Sequence, residues 1–233
     1  DFLKEGMREV DLISRLEMVM RSMGHQGSLR FRRFNSIVPL GHVMSGPAAA
    51  CPSFLASPTG GKGTSLIFPQ GASFSRIKRN EPVFVDMVGI YNGYIADATR
   101  IFSLGKIEPE LEEAYIAACQ IEEGLAREMS AGKTGRELYQ LSEAAGADLG
   151  YKDYLGGPPG GKCGFVGHGV GLELDEYPVI GPLDHELQSN MTIAIEPKII
   201  YPDKGVLGIE DTFLTSSGAA ESLTHMPRQI WQV

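Results

Sequence analysis

The stretch that decides the fold is Phe165-Val166-Gly167-His168-Gly169-Val170-Gly171-Leu172-Glu173-Leu174-Asp175-Glu176-Tyr177-Pro178. Glycine has no side chain and tolerates unusual backbone angles, so the three glycines around His168 let another group approach the main chain closely. His168 is then expected to point into a site of restricted size. The same stretch is also consistent with a glycine-rich turn around a buried, hydrogen-bonded histidine, so its interpretation depends on the rest of the chain.

Amphipathic helices are predicted at residues 4–24, 109–131 and 134–149. Gly6 and Gly24 are 18 residues apart, and so are Gly132 and Gly150. Each glycine pair encloses one of these helices, which indicates a hidden duplication. The chain is therefore predicted to contain two similar halves that face one another, because the period exceeds that of a repeat array.

Each half continues, after a loop, into a predicted β-hairpin. The first hairpin covers residues 81–103 and turns at Asn92-Gly93, a strong hairpin signal. The second has strands at 191–200 and 206–215, joined by a five-residue loop at 201–205. Helix-then-hairpin halves predict an α+β domain with a mainly antiparallel sheet.

Each hairpin contains two acidic residues within otherwise apolar strands: Asp86 and Asp97 in the first, Glu196 and Glu210 in the second. A buried carboxylate costs free energy unless it is paired or bound to a cation. With a two-residue turn, Asp97 faces Val88 and lies diagonal to Asp86, with the backbones about 7–8 Å apart. With the five-residue loop, Glu196 faces Glu210 directly. Each acid taken singly is also consistent with a surface-facing strand residue.

Four acids on one concave face repel one another and require positive charge. Lys198 is the one lysine or arginine at a matching position in these strands. A pair of divalent cations is the simpler source of this positive charge, with His168 as the nitrogen ligand. Carboxylates with one imidazole suit Mn²⁺, Fe²⁺, Co²⁺ or Zn²⁺, and two-metal sites of this kind activate water and polarise a carbonyl.

The overall composition excludes several classes of partner. A net charge of −8 argues against nucleic acid and anionic membrane surfaces. Three cysteines without C-x-x-C spacing predict free thiols in a reducing compartment. We therefore expect a cytoplasmic protein that binds neither nucleic acid nor membrane.

The ligand order Asp86, Asp97, His168, Glu196 and Glu210, with Asp-x10-Asp, GHGVGLE and IEDT, resembles the metallopeptidase family of methionine aminopeptidase, Xaa-Pro aminopeptidase, prolidase and creatinase. The resemblance covers nearly the whole chain and is greatest to the Xaa-Pro branch. It implies the pita-bread fold, and it implies two divalent metal ions (Mn, Co, Zn or Fe) bridged by Asp97 and Glu210. It also implies that Glu196 accepts a proton from water in addition to binding metal.

In the Xaa-Pro branch a separate N-terminal domain usually precedes the catalytic one. The resemblance therefore implies that residues 1–233 form a single catalytic-type domain, the C-terminal part of a longer protein. A chain that begins with Asp1 agrees with this expectation.

The chain departs from family peptidases in the residues that handle the substrate. It has Asp175 where those peptidases have a His after the GLE run, and Ser53 or a neighbour where they have a His after an SGP-like segment. Gly208 replaces the family's Arg two residues before the last Glu. The remaining histidines match no motif position and are predicted at the surface or in loops: His25, His42, His185 and His225.

The resemblance implies a metal-dependent hydrolase similar to Xaa-Pro aminopeptidase or prolidase, acting on a small peptide or amide. The expected partners are a small-molecule or short-peptide substrate and a second copy of the chain in a homodimer. Glu196 and Asp175 are the predicted catalytic residues, and Ser53 and Asp175 are predicted to bind substrate. We expect Asp175 to select a cationic or non-peptide substrate; the alternative is that it points to solvent. A creatinase-like non-peptidase and a non-catalytic binding protein are the competing functions.

Overall fold

The fold consists of antiparallel hairpins packed against helices, in a computed structural model that describes residues 2–32, 38–157 and 160–233. The helices are α1 (Glu9–Ser22), α2 (Gly46–Ala49), α3 (Pro109–Glu128) and α4 (Gly135–Asp148). The strands are β1 (Gly41–Ser45), β2 (Val83–Tyr91), β3 (Tyr94–Ser103), β4 (Gly167–Gly169), β5 (Glu176–Ile180), β6 (Thr192–Ile195), β7 (Lys198–Tyr201), β8 (Gly205–Gly208), β9 (Asp211–Leu214), β10 (Glu221–Ser222) and β11 (Trp231–Gln232).

The described strands form three sheets, ordered β1-β2-β3-β11, β10-β9-β6-β4-β5 and β7-β8. All pairings between neighbouring strands are antiparallel except that of β11 with β3. Helix α3 packs on β7 and β8, α1 on β1, and α4 on β5. This arrangement confirms the predicted α+β class. Within the described ranges, none of the helices combines the length and apolar character that a membrane crossing requires.

The predicted duplication is visible in the glycines around α1 and α4. Gly6, Gly24, Gly132 and Gly150 all have positive φ angles, between 77° and 95°. Each helix between them is 14 residues long. The prediction of a first helix over 4–24 was too long, since α1 begins only after Arg8, whose backbone N–H donates to the Asp11 carboxylate.

The first hairpin has the predicted register. Asn92 and Gly93 both have positive φ angles, of 51° and 83°, as a tight two-residue turn requires. Val88 pairs with Asp97 and Asp86 pairs with Thr99. Asp86 and Asp97 therefore lie diagonally on the same face of the hairpin, as predicted.

The second hairpin differs from its prediction in two ways. Its strands are interrupted, because β6 pairs with β9 and β7 pairs with β8 in a different sheet. The loop has three residues and not five, since Tyr201 already pairs with Gly205. The interruption follows Glu196, where Pro197 has no N–H to donate to the ladder. The pairings on both sides keep one register, which leaves Glu196 opposite Glu210.

The two halves meet where β3 lies beside the residues that lead into β9. Thr99 and Glu210 form an antiparallel bridge in which each N–H donates to the other's carbonyl, at 3.2 and 3.3 Å. Next to it the backbone N–H of Asp97 donates to the Thr212 hydroxyl at 3.1 Å. The acidic residues of the two hairpins are thereby held together by main-chain contacts.

Two further segments lie between α1 and the first hairpin. Residues 51–75 form a long loop without helix or regular strand. The segment 28–50 contains β1 and the short helix α2, and its residues 33–37 lie outside the described ranges.

The glycines of β4 allow the close strand packing that the sequence predicted. A Cβ atom added to Gly167 would lie 2.4 Å from the carbonyl oxygen of Ala194, and one added to Gly169 would lie 2.6 Å from that of Tyr177. Both obstructing atoms belong to the backbone of neighbouring strands. His168, between these glycines, is therefore held between β6 and β5 in the five-stranded sheet.

We expect Gly167→Ala to destabilise the protein by about 1–3 kcal/mol, because the added methyl group must displace β6. Gly164→Ala is the matched control, since a Cβ atom at Gly164 would have no heavy atom within 4 Å. Thermal unfolding of the two variants checks this expectation. Equal melting temperatures for Gly167→Ala and Gly164→Ala would contradict the close-packing explanation.

Candidate metal centre

One cavity of about 640 Å³ brings together all five residues that the sequence analysis assigned to a metal site. They are Asp86, Asp97, His168, Glu196 and Glu210. His168 lies on β4, the first two acids on the β2–β3 hairpin, and the two glutamates at the interruption of the second hairpin. The site thus lies between the two halves of the fold.

His168 is buried and oriented for binding through Nε2. Its Nδ1 lies 3.0 Å from the carbonyl oxygen of Gly169. A carbonyl oxygen only accepts, so Nδ1 carries the hydrogen and Nε2 keeps a lone pair when the ring is neutral. Nε2 faces Asp175 Oδ1 at 3.5 Å and Glu196 Oε1 at 3.6 Å.

Asp97, His168 and Glu210 offer ligand atoms that all lie within 4.8 Å of one another. All three side chains are buried, and Asp97 Oδ1 has no hydrogen-bond partner. A buried oxygen without a partner is costly unless a cation binds there. Two carboxylates and one imidazole are suitable ligands for a divalent transition metal, so these residues fit such an ion.

Lys198 is the feature of the site that the resemblance did not predict. Its side chain is completely buried, and Nζ lies 3.0 Å from Glu210 Oε2, 3.5 Å from Glu196 Oε2 and 3.8 Å from Asp86 Oδ2. Burial alone would lower the pKa of Lys198, but these three carboxylates outweigh it and raise the pKa above the ordinary value. Lys198 is therefore a buried ammonium ion among the predicted metal ligands.

Gly208 explains how Lys198 reaches this position. The two residues are register partners on β7 and β8. A Cβ atom added to Gly208 would lie 2.7 Å from Cδ of Lys198. A side chain at position 208, where the resemblance expected Arg, is therefore incompatible with the observed path of Lys198. The positive charge comes from the partner strand instead.

Burial dominates the pKa values of the acids. Desolvation raises the pKa of Glu196 to about 8, with a further contribution from the nearby Glu210. Desolvation together with Glu210 and Asp86 also raises the pKa of Asp97 well above its ordinary value. For His168 burial lowers the pKa, but Asp175 and Glu196 outweigh it and the net shift is upward. Without a bound cation, the site therefore retains protons that ordinary carboxyl groups would have lost.

Asp175 lines the same cavity, and its side chain is 36% exposed. Its carboxylate is directed to Nε2 of His168, at 3.5 Å, so it lies beside the face that His168 offers to a metal. Glu173, two residues before Asp175, instead forms an ion pair with Arg32, in which Oε2 lies 2.7 Å from Nε. Asp175 therefore faces the site, although part of its side chain also contacts solvent.

Ser53 lies behind the residues that form the cavity wall. The neighbouring residues 54–58 line the cavity, whereas the Ser53 hydroxyl donates to Gln70 Oε1 at 2.9 Å. Gln70 in turn approaches Nε2 of His42 through its amide nitrogen, at 3.1 Å. In this geometry Ser53, predicted to bind substrate, is connected through Gln70 to His42, a histidine predicted at the surface or in a loop.

The prediction that His42 is a surface or loop residue was wrong. His42 lies on β1, is buried, lines the cavity and is the register partner of Asp86. Its Nδ1 lies 3.0 Å from the Thr59 hydroxyl. Burial, with a smaller effect of Lys198, lowers the pKa of His42 to about 4, so the ring is neutral near pH 7.

The other three histidines agree with their prediction. His25 follows α1 in a loop, where its Nε2 donates to the carbonyl oxygen of Val88 at 2.8 Å. His185 and His225 are exposed, and the His185 ring packs against Tyr177. None of the three lines the described cavity.

The paired halves and the buried carboxylate-imidazole site define the pita-bread class of metallopeptidases. The sequence profile of Metallopeptidase family M24 matches residues 1–217, and the chain belongs to this family. This confirms the resemblance and the fold expected from it.

The relatives include peptidases of the Xaa-Pro type. The chain is 29% identical to the Xaa-Pro dipeptidase of Pyrococcus furiosus over 98% of its own length and 57% of that protein. The X-Pro aminopeptidase structure from Thermotoga maritima has a TM-score of 0.81 and 26% identity, over 99% of this chain and 56% of that one. A methionine aminopeptidase structure from Thermotoga maritima shares the fold, with a TM-score of 0.68 and 18% identity over 95% of this chain and 87% of that one.

The chain spans little more than half the length of the Xaa-Pro relatives that it matches. The Xaa-Pro names belong to those longer proteins. Membership of the family establishes the metallopeptidase class, and the substrate of this chain has to be argued from its own residues.

We expect the metal-free protein to lose stability as the pH rises from about 6.5 to about 8. The pKa of Glu196 rises from an ordinary 4.5 to about 8 on folding. A carboxyl group with a raised folded-state pKa stabilises the fold below its unfolded pKa, and this contribution disappears as the pH passes through the folded value. Melting temperatures of chelator-treated protein across this interval measure the slope.

Glu196→Gln should flatten this slope, whereas Glu113→Gln on the exposed side of α3 should leave it unchanged. His42, whose pKa is lowered, has the opposite effect, but only below its ordinary value of 6.5. A melting temperature that is constant or increases between about pH 6.5 and 8 would contradict the expected protonation of the site.

Proposed function

We propose that this chain is a metal-dependent hydrolase that cleaves a peptide or amide bond in a small substrate. The observation that supports this most directly is the buried group of Asp97, His168 and Glu210, with ligand atoms within 4.8 Å of one another. Family membership supports the same class of reaction. A cavity of about 640 Å³ is suitable for a dipeptide or a compound of similar size.

Asp86, Asp97, His168, Glu196 and Glu210 are the proposed metal ligands. Divalent metal at such a site polarises the substrate carbonyl and makes water a better nucleophile. Mn, Co, Zn and Fe are all compatible with these ligands, and the two ions bridged by Asp97 and Glu210 remain a prediction of the resemblance.

Glu196 is the proposed general base. Its carboxylate accepts a proton from water as the water oxygen bonds to the carbonyl carbon. The C–N bond then breaks, and Glu196 returns the proton to the leaving nitrogen. The place of Glu196 in the cavity supports this role, because its Oε1 lies 3.6 Å from Nε2 of His168 and thus beside the proposed metal ligands.

Asp175 is the proposed determinant of substrate charge. A neutral histidine at this position could donate a hydrogen bond to a developing oxyanion, whereas an ionised Asp cannot. The cavity is strongly acidic, with Asp175 and Glu176 added to the four ligand carboxylates. Such a site attracts an amine or guanidinium group. The favoured substrate is therefore a small amide or peptide with a cationic group next to the scissile bond.

Two alternatives compete with this proposal. The absence of a histidine at position 175 favours, as second candidate, a creatinase-like enzyme that acts on an amino-acid-derived compound other than a peptide. A binding protein that has kept the fold without turnover is the third. Turnover of Xaa-Pro dipeptides with added Mn²⁺ separates the peptidase from the other two, and a screen of cationic small amides separates the second from the third.

The remaining predictions from the sequence concern the protein as a whole. A cytoplasmic location, a homodimer and a catalytic domain within a longer protein all stay predictions. They are compatible with the site proposed above, which lies within this chain and requires no residue from a partner.

We expect weak cleavage of ordinary Xaa-Pro dipeptides by the unaltered chain and an increase in kcat/KM of about tenfold or more for Asp175→His. One oxyanion hydrogen bond is typically worth about 10²–10³ in rate. Steady-state kinetics with saturating Mn²⁺ and a panel of Xaa-Pro dipeptides measure the change.

Asp184→His is the matched control, because Asp184 is exposed and pairs with Arg136 outside the cavity. It should leave dipeptide cleavage unchanged. Efficient dipeptide cleavage by the unaltered chain would show that Asp175 does not impose the proposed selectivity.

A further inference from the structure

The ammonium group of Lys198 occupies a position between ligands that the family resemblance assigns to metal. Among these carboxylates it is nearest to Glu210 Oε2, at 3.0 Å, and Asp86 Oδ2 lies 3.8 Å away. An ion bridging Asp86 and Glu210 would need metal–oxygen distances of about 2.0–2.2 Å to both residues. The ammonium group and such an ion therefore compete for the same small space.

Two contacts besides its ion pairs hold Lys198 in place. Its Nζ donates to the Thr99 hydroxyl at 2.6 Å, and that hydroxyl donates to Glu210 Oε2 at 2.8 Å. Nζ also lies 5.1 Å from the centre of the Phe84 ring, in a cation–π arrangement. The space beside its side chain exists because Gly208 has no Cβ atom.

The other end of the site has a different character. Asp97 Oδ1 is buried without a hydrogen-bond partner, and Asp97, His168 and Glu210 form the compact set of ligand atoms. Lys198 Nζ forms no ion pair with Asp97 among the described contacts, which name Asp86, Glu196 and Glu210. Lys198 therefore pairs directly with Asp86, Glu196 and Glu210, whereas Asp97 keeps an oxygen without a partner.

We propose that Lys198 takes the place of one of the two metal ions, so that this chain binds a single divalent ion at Asp97, His168 and Glu210. The inference rests on the proposed function, because it assumes that the site binds metal at all. One divalent ion and one ammonium group then supply three positive charges against the four carboxylates. A second divalent ion would have to enter next to a buried positive charge, where repulsion is little screened.

The test is the number of Mn²⁺ ions bound per chain, measured by isothermal titration and by elemental analysis after removal of unbound metal. The unaltered chain is expected to bind one equivalent and Lys198→Ala two. Lys204→Ala is the matched control, because Lys204 also pairs with two carboxylates, those of Glu108 and Glu110, but lies at the surface. It should bind one equivalent like the unaltered chain.

Electron paramagnetic resonance of the Mn²⁺-loaded proteins gives a second readout that does not depend on activity. The unaltered chain should show the hyperfine pattern of an isolated ion at every loading. Lys198→Ala should develop the spin coupling of two ions a few ångströms apart once the second equivalent binds. If Lys198→Ala does not fold, Lys198→Met and the spectrum of the unaltered chain still test the inference.

The possible outcomes distinguish this inference from the proposed function. Two equivalents in the unaltered chain, or one equivalent in both the chain and a folded Lys198 variant, would overturn the role of Lys198 and leave the metal-dependent function intact. No binding by either protein would overturn the proposed function itself. Binding only by the Lys198 variant would show that the ammonium group excludes metal completely, and would also overturn the single-ion inference.

Discussion

The cost of burying carboxylates is the constraint on which this site depends. Asp97, Glu196 and Glu210 are each less than a tenth exposed, and a buried acid is tolerated only when it is protonated, paired or bound to a cation. All three responses are available here, because the pKa values are raised, Lys198 forms ion pairs, and Asp97 presents an unsatisfied oxygen. The site therefore responds to both protons and cations, as the proposed metal-dependent hydrolase requires.

Backbone contacts hold the site residues in position. Their arrangement depends little on the acidic side chains themselves. The bridge between Thr99 and Glu210 joins the two hairpins, and the glycines of β4 allow His168 to approach from the adjacent sheet. Substitution of a ligand would leave these contacts in place. The same scaffold can consequently hold different sets of charged groups, which is why family membership alone does not define the reaction.

Local patterns predicted most of the fold and the convergence of the five proposed ligand residues in one cavity. The Asn92-Gly93 turn determines which face Asp97 shares with Asp86, and the paired glycines locate α1 and α4. Pairings between distant segments could not be predicted in this way. His42 was misjudged because its neighbour Asp86 is far away in sequence, and burial on β1 follows from that pairing alone. A single sequence contains no local signal for such a contact.

Lys198 and Gly208 illustrate the same limit for chemistry. Considered alone, Gly208 indicates only that the Arg expected from the resemblance is missing. Lys198 alone is a single lysine within an apolar strand and indicates no role in the site. Their meaning emerges only from the register that makes them partners on β7 and β8, because the missing Cβ of one residue is the space for the side chain of the other. Compared with the Arg that the resemblance expects at position 208, Lys198 and Gly208 keep a positive charge at the site. The charge now comes from β7 and not from β8. Under the single-ion inference, a fixed ammonium group and a metal ion stabilise the same carboxylates, so that the counter-charge as well as the ligand motif determines how many ions the site binds.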